Sequence, residues 1–200
     1  FEQIRLLHDA FSKYGLNVDI IGPDADISSY KIVAAPQMYV TDEDMVKRLY
    51  EFAEKGGTVI LTNRSGVKDA HNNCIMSQLP TVYRKLVGAH VEEYDPIGRD
   101  TITVRFADGD SFSCREWCDI LHTESAETIA CYDGDFFKGK PAVTVNHYGS
   151  GRAYYIGTVG QKAFYRHLVK DILIECGLPF VETLPDNVEL TERTGDGYKV

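Results

Sequence analysis

Helical and strand-like spacings of apolar residues alternate along the first sixty residues of the chain. Near the start, apolar and aromatic positions recur at three- and four-residue steps: Ile4, Leu7, His8, Phe11 and Tyr14. This spacing predicts an amphipathic helix that Gly15 ends. A second helix is predicted after Thr41, whose hydroxyl we expect to cap it, with carboxylates in its first turn and Gly56 after its end.

Three short apolar runs bounded by turn residues read as strands, at Val18 to Ile21, Lys31 to Ala35 and Thr58 to Thr62. The last two flank the second helix, so the segment from residue 31 to 62 predicts a strand–helix–strand crossover. Such a crossover requires parallel strands and a right-handed connection. The pattern therefore predicts an α/β layer fold.

The middle of the chain changes to alternating polar and apolar positions. After a short helix over Leu79 to Gly88, the segments from residue 90 to 112 and from 113 to 132 predict antiparallel strands. Pro141 to Asn146 and Ala153 to Ile156 predict a hairpin across Tyr148-Gly149-Ser150-Gly151. A last helix carries Phe164, Leu168, Val169, Ile172 and Leu173 on one side and ends before Gly177 and Pro179.

Both ends of the chain look cut. Phe1 already lies in a helical pattern, while Val188 to Thr191 reads as a strand, Gly195-Asp196-Gly197 as a turn and Tyr198 to Val200 as a short return strand. We expect an excised piece of a longer polypeptide. A boundary near Leu184-Pro185 divides it into an α/β domain over 1–184 and the truncated start of a β domain over 185–200.

Charge and cysteine content narrow the function classes. The 200 residues carry a net charge of −9, which would repel a phosphate backbone or an anionic membrane surface. No apolar run reaches the roughly 20 residues that a bilayer-spanning helix needs. Five scattered cysteines fit reduced thiols and a cytoplasmic setting, and the spacing of Cys114 and Cys118 is not that of a zinc site, so we expect no metal.

The loops that follow the predicted parallel strands are where an open α/β sheet binds its ligand. They read Gly22-Pro23-Asp24, Pro36-Gln37-Met38 and Asn63-Arg64-Ser65-Gly66. None contains a dinucleotide or phosphate-binding glycine pattern, and Gly149-Ser150-Gly151 lies between two strands, where it is typical of a turn. We expect no bound cofactor.

A nucleophile would be expected directly after Thr62, where a strained turn raises a Ser or Cys in many hydrolases. Arg64 or Ser65 takes that place, without the flanking small residues. The six histidines show no ligand or catalytic spacing. The acids Glu116, Asp119, Glu124 and Glu127 are interpreted as solvated. We therefore predict no catalytic residue and interpret Ser65 as a loop hydroxyl that bonds to local backbone.

Trp117 is the only tryptophan, and its role has two interpretations. Core packing is one, and a subunit-interface anchor is the other, since tryptophan often carries subunit contacts. Our candidate interface residues are Tyr94 and Trp117. If Tyr39, Tyr94 and Trp117 formed an exposed platform, a sugar-binding module would be the alternative.

Several segments resemble the middle domain of glycoside hydrolase family 42 β-galactosidases. These segments are Tyr30-Lys31-Ile32-Val33-Ala34-Ala35-Pro36, the run from Tyr50 to Thr62, the run from Leu86 to Asp95 and, most specifically, the run from Gly139 to Thr158. The likeness extends over nearly the whole chain. The residues from Val188 onward look like the start of that family's small C-terminal β domain.

The resemblance implies a three-layer, flavodoxin-like fold of the class I glutamine amidotransferase type, with a central mostly parallel sheet and added antiparallel strands. It implies a non-catalytic homotrimerisation domain, in a parent enzyme that hydrolyses terminal β-D-galactosides with glutamates of an upstream barrel. Compared with a working amidotransferase, the nucleophile cysteine is replaced at about Arg64 and no His-Pro-Glu motif follows. The enzyme alternative is an amidotransferase-like hydrolase that uses Ser65 or a distant cysteine.

Overall fold

The computed structural model describes residues 2–182, 184–185, 188–195 and 198–199. Four α-helices, one 3₁₀ turn and ten strands follow one another along these residues. In chain order they are α1 (Glu2–Lys13), β1 (Ile32–Ala35), α2 (Glu43–Glu54), β2 (Thr58–Thr62), the 3₁₀ turn (Thr81–Tyr83), α3 (Arg84–Val87), β3 (Ala89–Phe106), β4 (Ser111–Thr123), β5 (Glu127–Tyr132), β6 (Pro141–Tyr148), β7 (Gly151–Ile156), β8 (Thr158–Gly160), α4 (Lys162–Glu175), β9 (Thr194–Gly195) and β10 (Tyr198–Lys199).

Eight of the strands form one mixed sheet in the order β1-β2-β7-β6-β5-β3-β4-β8. The pairs β1–β2 and β2–β7 are parallel, and the other five pairs are antiparallel. The α/β class, the crossover and the added antiparallel strands are confirmed. The parallel part is smaller than the expected mostly parallel sheet, because short connections join β3 to β4, β5 to β6 and β6 to β7, and strands joined this way can pair only antiparallel.

The helix α2 covers the sheet where the parallel strands lie. Its buried residues Leu49, Phe52 and Ala53 belong to one core cluster with Val59 and Leu61 of β2. The N-cap is Asp42, whose Oδ1 accepts a hydrogen bond of 2.8 Å from the backbone N–H of Met45. The expected Thr41 cap was wrong by one residue, because the Thr41 hydroxyl donates to the Lys68 carbonyl instead.

One predicted strand is absent, and one observed strand was not predicted. Residues 18–21 form no strand, and Ile20 is 75 % exposed. Strand propensity alone does not make a strand, which also needs ladder hydrogen bonds from a neighbour. Conversely, β8 was not predicted, because three residues are too few for a periodic pattern; pairing with β4 defines it.

The described chain divides into two compact units, Pro23–Gly160 and Phe1–Gly22 with Gln161–Val200. The first contains the eight-stranded sheet. In the second, α1 packs against α4, and the Asp9 carboxylate accepts hydrogen bonds from Lys162 and Arg166. None of the described helices is long and apolar enough to cross a membrane.

The end of the chain follows the prediction in part. Tyr198–Lys199 pairs with Thr194–Gly195, so these two residues of the predicted return strand are confirmed, whereas residues 188–191, its predicted partner, are not a strand. Asp196 and Gly197 of the predicted turn and Val200 of the return strand lie outside the described residues. The division into 1–184 and 185–200 stays a prediction.

All five cysteines are free thiols. Cys114 and Cys118 are fully buried on β4, as expected of thiols that fill a core, and burial raises their pKa values to about 12 and about 11. At pH 8 both therefore stay protonated and unreactive.

We expect a thiol reagent at pH 8 to label exposed Cys74 first and to leave Cys114 and Cys118 unmodified until the protein unfolds. Peptide mass spectrometry over a time course measures each site. The Cys74→Ser variant serves as control, because it should lose the fast phase and leave the others unchanged. Labelling of Cys114 at the rate of Cys74 would contradict the burial of β4.

Candidate functional site

The loops after β1 and β2 meet at one edge of the sheet, where the carboxyl ends of these parallel strands lie side by side. Backbone N–H groups of Gln37 and Met38 donate to the side-chain oxygens of Thr62 and Ser65, at 2.8 and 3.2 Å. The N–H of Gly66 returns a bond of 2.8 Å to the Met38 carbonyl. The two loops are therefore held together as one layer above the strand ends.

Ser65 lies inside this layer and is fully buried. Its hydroxyl donates to the Thr62 carbonyl at 2.7 Å and accepts from the Met38 N–H. An activated serine needs a base within hydrogen-bond reach and access to substrate. Both described bonds of the Ser65 hydroxyl go to backbone atoms, so the interpretation as a loop hydroxyl is confirmed.

Arg64 occupies the turn where a nucleophile would stand. Its φ of 63° is left-handed, the strained geometry that projects a side chain from a strand end. The exposed guanidinium lies 5.1 Å from the ring centroid of Tyr39 and 4.7 Å from that of Trp117. This turn therefore presents a cation stacked on aromatic rings rather than a nucleophile.

Trp117 and Tyr94 come together from β4 and β3. Their rings stack with centroids 5.0 Å apart and planes 15° from parallel. Trp117 follows a register shift of the ladder at which Glu116 takes a φ of 68°. Such a bulge changes the direction of the strand and of the side chains next to it. The Trp117 side chain lies beside Arg64 directly after this bulge.

A buried carboxylate lies behind this aromatic pair. Asp119 is 1 % exposed; its Oδ1 accepts from Trp117 Nε1 at 2.8 Å, and its Oδ2 accepts from the Tyr155 hydroxyl at 2.8 Å and the Arg64 N–H at 3.3 Å. Burial raises the pKa of Asp119, and these three donors partly offset the rise. The carboxylate thus ties Trp117 and the Arg64 turn to the sheet.

The reading of Asp119 as a solvated acid was wrong. A single acid in the run Cys118-Asp119-Ile120-Leu121 was the available signal, since charged residues inside an apolar run are buried only when paired. By contrast, Glu124 lies at the surface, where it pairs with Arg84 and His90. No property of the sequence revealed that Tyr155 and Arg64, from two distant segments, also donate to Asp119.

Lys68 joins these residues, since its Nζ lies 5.9 Å from the ring centroid of Tyr39. We call the group formed by Tyr39, Arg64, Lys68, Tyr94 and Trp117 the cation–aromatic surface. It brings together both candidate interface residues, Tyr94 and Trp117. The Trp117 ring already contacts Arg64 and Tyr94, which argues against an open sugar-binding platform. Chemically, the surface offers cationic N–H donors and aromatic area, which suit contact with an anionic protein surface.

Comparison with known proteins identifies the family of this domain. The family described as "Beta-galactosidase trimerisation domain" matches residues 1–179. β-Galactosidase BgaA of Clostridium cellulovorans is 42 % identical over 198 residues, which cover 99 % of this chain and 30 % of the relative. The β-galactosidase of Bacillus circulans sp. alkalophilus has a similar structure, with a TM-score of 0.94 and 29 % identity, over 99 % of this chain and 30 % of that one.

A second similar structure is that of Gan42B, a GH42 β-galactosidase; its TM-score is 0.89 at 28 % identity, over 96 % of this chain and 28 % of that one. The chain belongs to the β-galactosidase trimerisation domain family, which confirms the resemblance to family 42. It spans about 30 % of the length of these relatives.

Proposed function

We propose that this domain assembles a β-galactosidase into a homotrimer and takes no part in bond cleavage itself. The whole protein would hydrolyse terminal β-D-galactosides, which a catalytic barrel outside this chain would bind. Support comes from the family and from the relatives, which are β-galactosidases about three times as long as this chain.

One observation carries the non-catalytic role. At the strand ends where related folds place a nucleophile, the left-handed turn carries Arg64 over Tyr39 and Trp117, and the neighbouring Ser65 hydroxyl is buried in backbone hydrogen bonds. A guanidinium is not a nucleophile at neutral pH, because it stays protonated. The geometry suits contact rather than chemistry.

Tyr94 and Trp117 are our proposed interface residues. Tyr94 is 53 % exposed, although a large aromatic side chain gains most from burial, and Trp117 is half-buried beneath it. Aromatic and arginine side chains dominate the binding energy of protein interfaces. We also place the protein in the cytoplasm, an inference that rests on its five free cysteines.

The test is the mass of the full-length enzyme in solution. Size-exclusion chromatography with light scattering at working concentration should give three times the mass of one chain. Galactoside hydrolysis should be present in the same fractions. A monomer under these conditions would contradict the assembly role.

A further inference from the structure

We propose that the cation–aromatic surface of one copy binds to a cleft of the next copy around the trimer. This cleft is lined by Asp95, Asp100, Asp133 and Asp135. We call this second feature the acidic cleft. The inference rests on the proposed assembly role and adds the two surfaces that would carry it. The occupant of each surface is therefore a second copy of this chain.

The cationic side carries two side-chain charges that form no ion pair among the described residues; the Arg64 charge also acts on buried Asp119. Among the described residues, the Arg64 guanidinium makes no hydrogen bond and no ion pair; its contacts are the faces of Tyr39 and Trp117. Lys68 Nζ bonds to the neutral Asn72 Oδ1 at 2.8 Å. Two cations on a chain of net charge −9 thus have unused capacity for carboxylates.

The acidic side is a cleft of about 420 Å³. Asp133 is neutralised by Arg105 and by Lys138, the latter at 2.7 Å. Asp95, Asp100 and Asp135 form no ion pair within the described part of the chain. The residue after Asp135 is Phe136, which is 70 % exposed and could add apolar contact beside the carboxylates.

Strand geometry separates the two surfaces. Tyr94 and Asp95 are consecutive on β3 and lie opposite Asp119 and Cys118 of β4 in regular register. Since successive strand residues point to opposite faces, Tyr94 shares one face with Trp117, and Asp95 points to the other. The cation–aromatic surface and the acidic cleft therefore lie on opposite faces of the sheet and cannot contact each other within one chain.

A closed ring of three copies requires this kind of arrangement. Its interfaces are heterologous, so two different patches of each subunit meet, and every copy must carry both halves. The cation–aromatic surface and the acidic cleft are of opposite charge and face different ways. Charge complementarity therefore favours another copy of the same chain over a sugar or nucleic acid as the partner.

The test compares charge reversals in the full-length enzyme by light scattering over a dilution series. Arg64→Glu should raise the dissociation constant of the trimer by about 100-fold or more, because like charges would then face each other across the interface. Tyr94→Asp tests the same surface through an exposed residue. Lys47→Glu makes the same charge change on α2, where the side chain is 74 % exposed, and should leave the trimer unchanged.

Rescue tests the pairing. On its own, the double variant Asp95→Lys with Asp100→Lys should weaken the trimer. Combined with Arg64→Glu, it should restore the trimer. If Arg64→Glu and Tyr94→Asp leave the dissociation constant unchanged while the wild type is a trimer, the inference is wrong and the assembly role stands. Loss of the trimer without rescue would overturn the acidic cleft as the partner. A monomeric wild type would instead refute the assembly role itself.

Discussion

Replacing Asp119 by alanine should lower the free energy of unfolding of this domain by about 3 kcal/mol. Three buried or half-buried donors, Trp117 Nε1, the Tyr155 hydroxyl and the Arg64 N–H, lose their acceptor, and each unpaired buried donor costs about 1–3 kcal/mol. Removal of a buried charge offsets part of this cost. Calorimetry should show a midpoint lower by about 10 °C.

The Asp119→Asn variant is the matched control. Its amide oxygen can still accept from Trp117 Nε1, whereas its NH₂ takes the place of the oxygen that accepts from the Tyr155 hydroxyl and the Arg64 N–H, so two of the three donors lose their acceptor. We expect a loss of about 2 kcal/mol at pH 7, smaller than for alanine. Equal losses for alanine and asparagine would show that the retained bond from Trp117 does not stabilise the domain.

The direction in which stability changes with pH distinguishes the effect of the Asp119 charge from the effect of its hydrogen bonds. Burial raises the Asp119 pKa above its unfolded value of about 3.9. The contribution of this group to stability is therefore complete below about pH 4 and is lost as pH rises toward the folded pKa. Relative to Asp119→Asn, the wild type should lose stability as pH rises above about 4; a gain on raising the pH would contradict the raised pKa.

Replacing Gly66 by alanine should be comparably damaging. Gly66 has a φ of 74°, and an added Cβ would press on the carbonyl oxygen of Pro80 and lie 2.7 Å from Thr81 Oγ1. The carbonyl belongs to the backbone and cannot turn away as a flexible side chain would. Backbone strain of about 1–2 kcal/mol and overpacking of about 1–3 kcal/mol add to roughly 3 kcal/mol.

Gly139→Ala is the control for this variant. Gly139 has a similar φ of 86°, but no atom lies within 4 Å of an added Cβ, so only backbone strain remains. We expect a loss of about 1 kcal/mol, which calorimetry would show as a midpoint shift of about 2–4 °C. If both variants lost the same stability, the packing of Pro80 against the Arg64 turn would not matter.

Elements with strong local signals were predictable from the sequence. The apolar stripe of α2 has a clear helical period, β2 is a continuous apolar run, and the glycines that follow α1 and α4 mark their ends. Residues 18–21 had a strand-like apolar run and formed no strand, while β8, with three residues, was too short to show a periodic pattern and formed one. The difference is the presence of a hydrogen-bonding neighbour, which no local pattern contains.

The candidate site was likewise predictable only in part. Residue types alone indicated an absence of nucleophile chemistry around Arg64 and Ser65, and single aromatic residues pointed to Tyr94 and Trp117. The burial of Asp119 was missed, because two of its three donors, Tyr155 and Arg64, reach the carboxylate from distant segments.

The sequence by itself determined the α/β class, the main helices and strands, and the family, because these depend on local periodicity and on runs of residues that resemble relatives. Only the tertiary structure decided the balance of parallel and antiparallel pairing, the stacking of Arg64 on Trp117 and the burial of Asp119. Those features depend on contacts between segments far apart in the chain, and such contacts exist only once the sheet has formed.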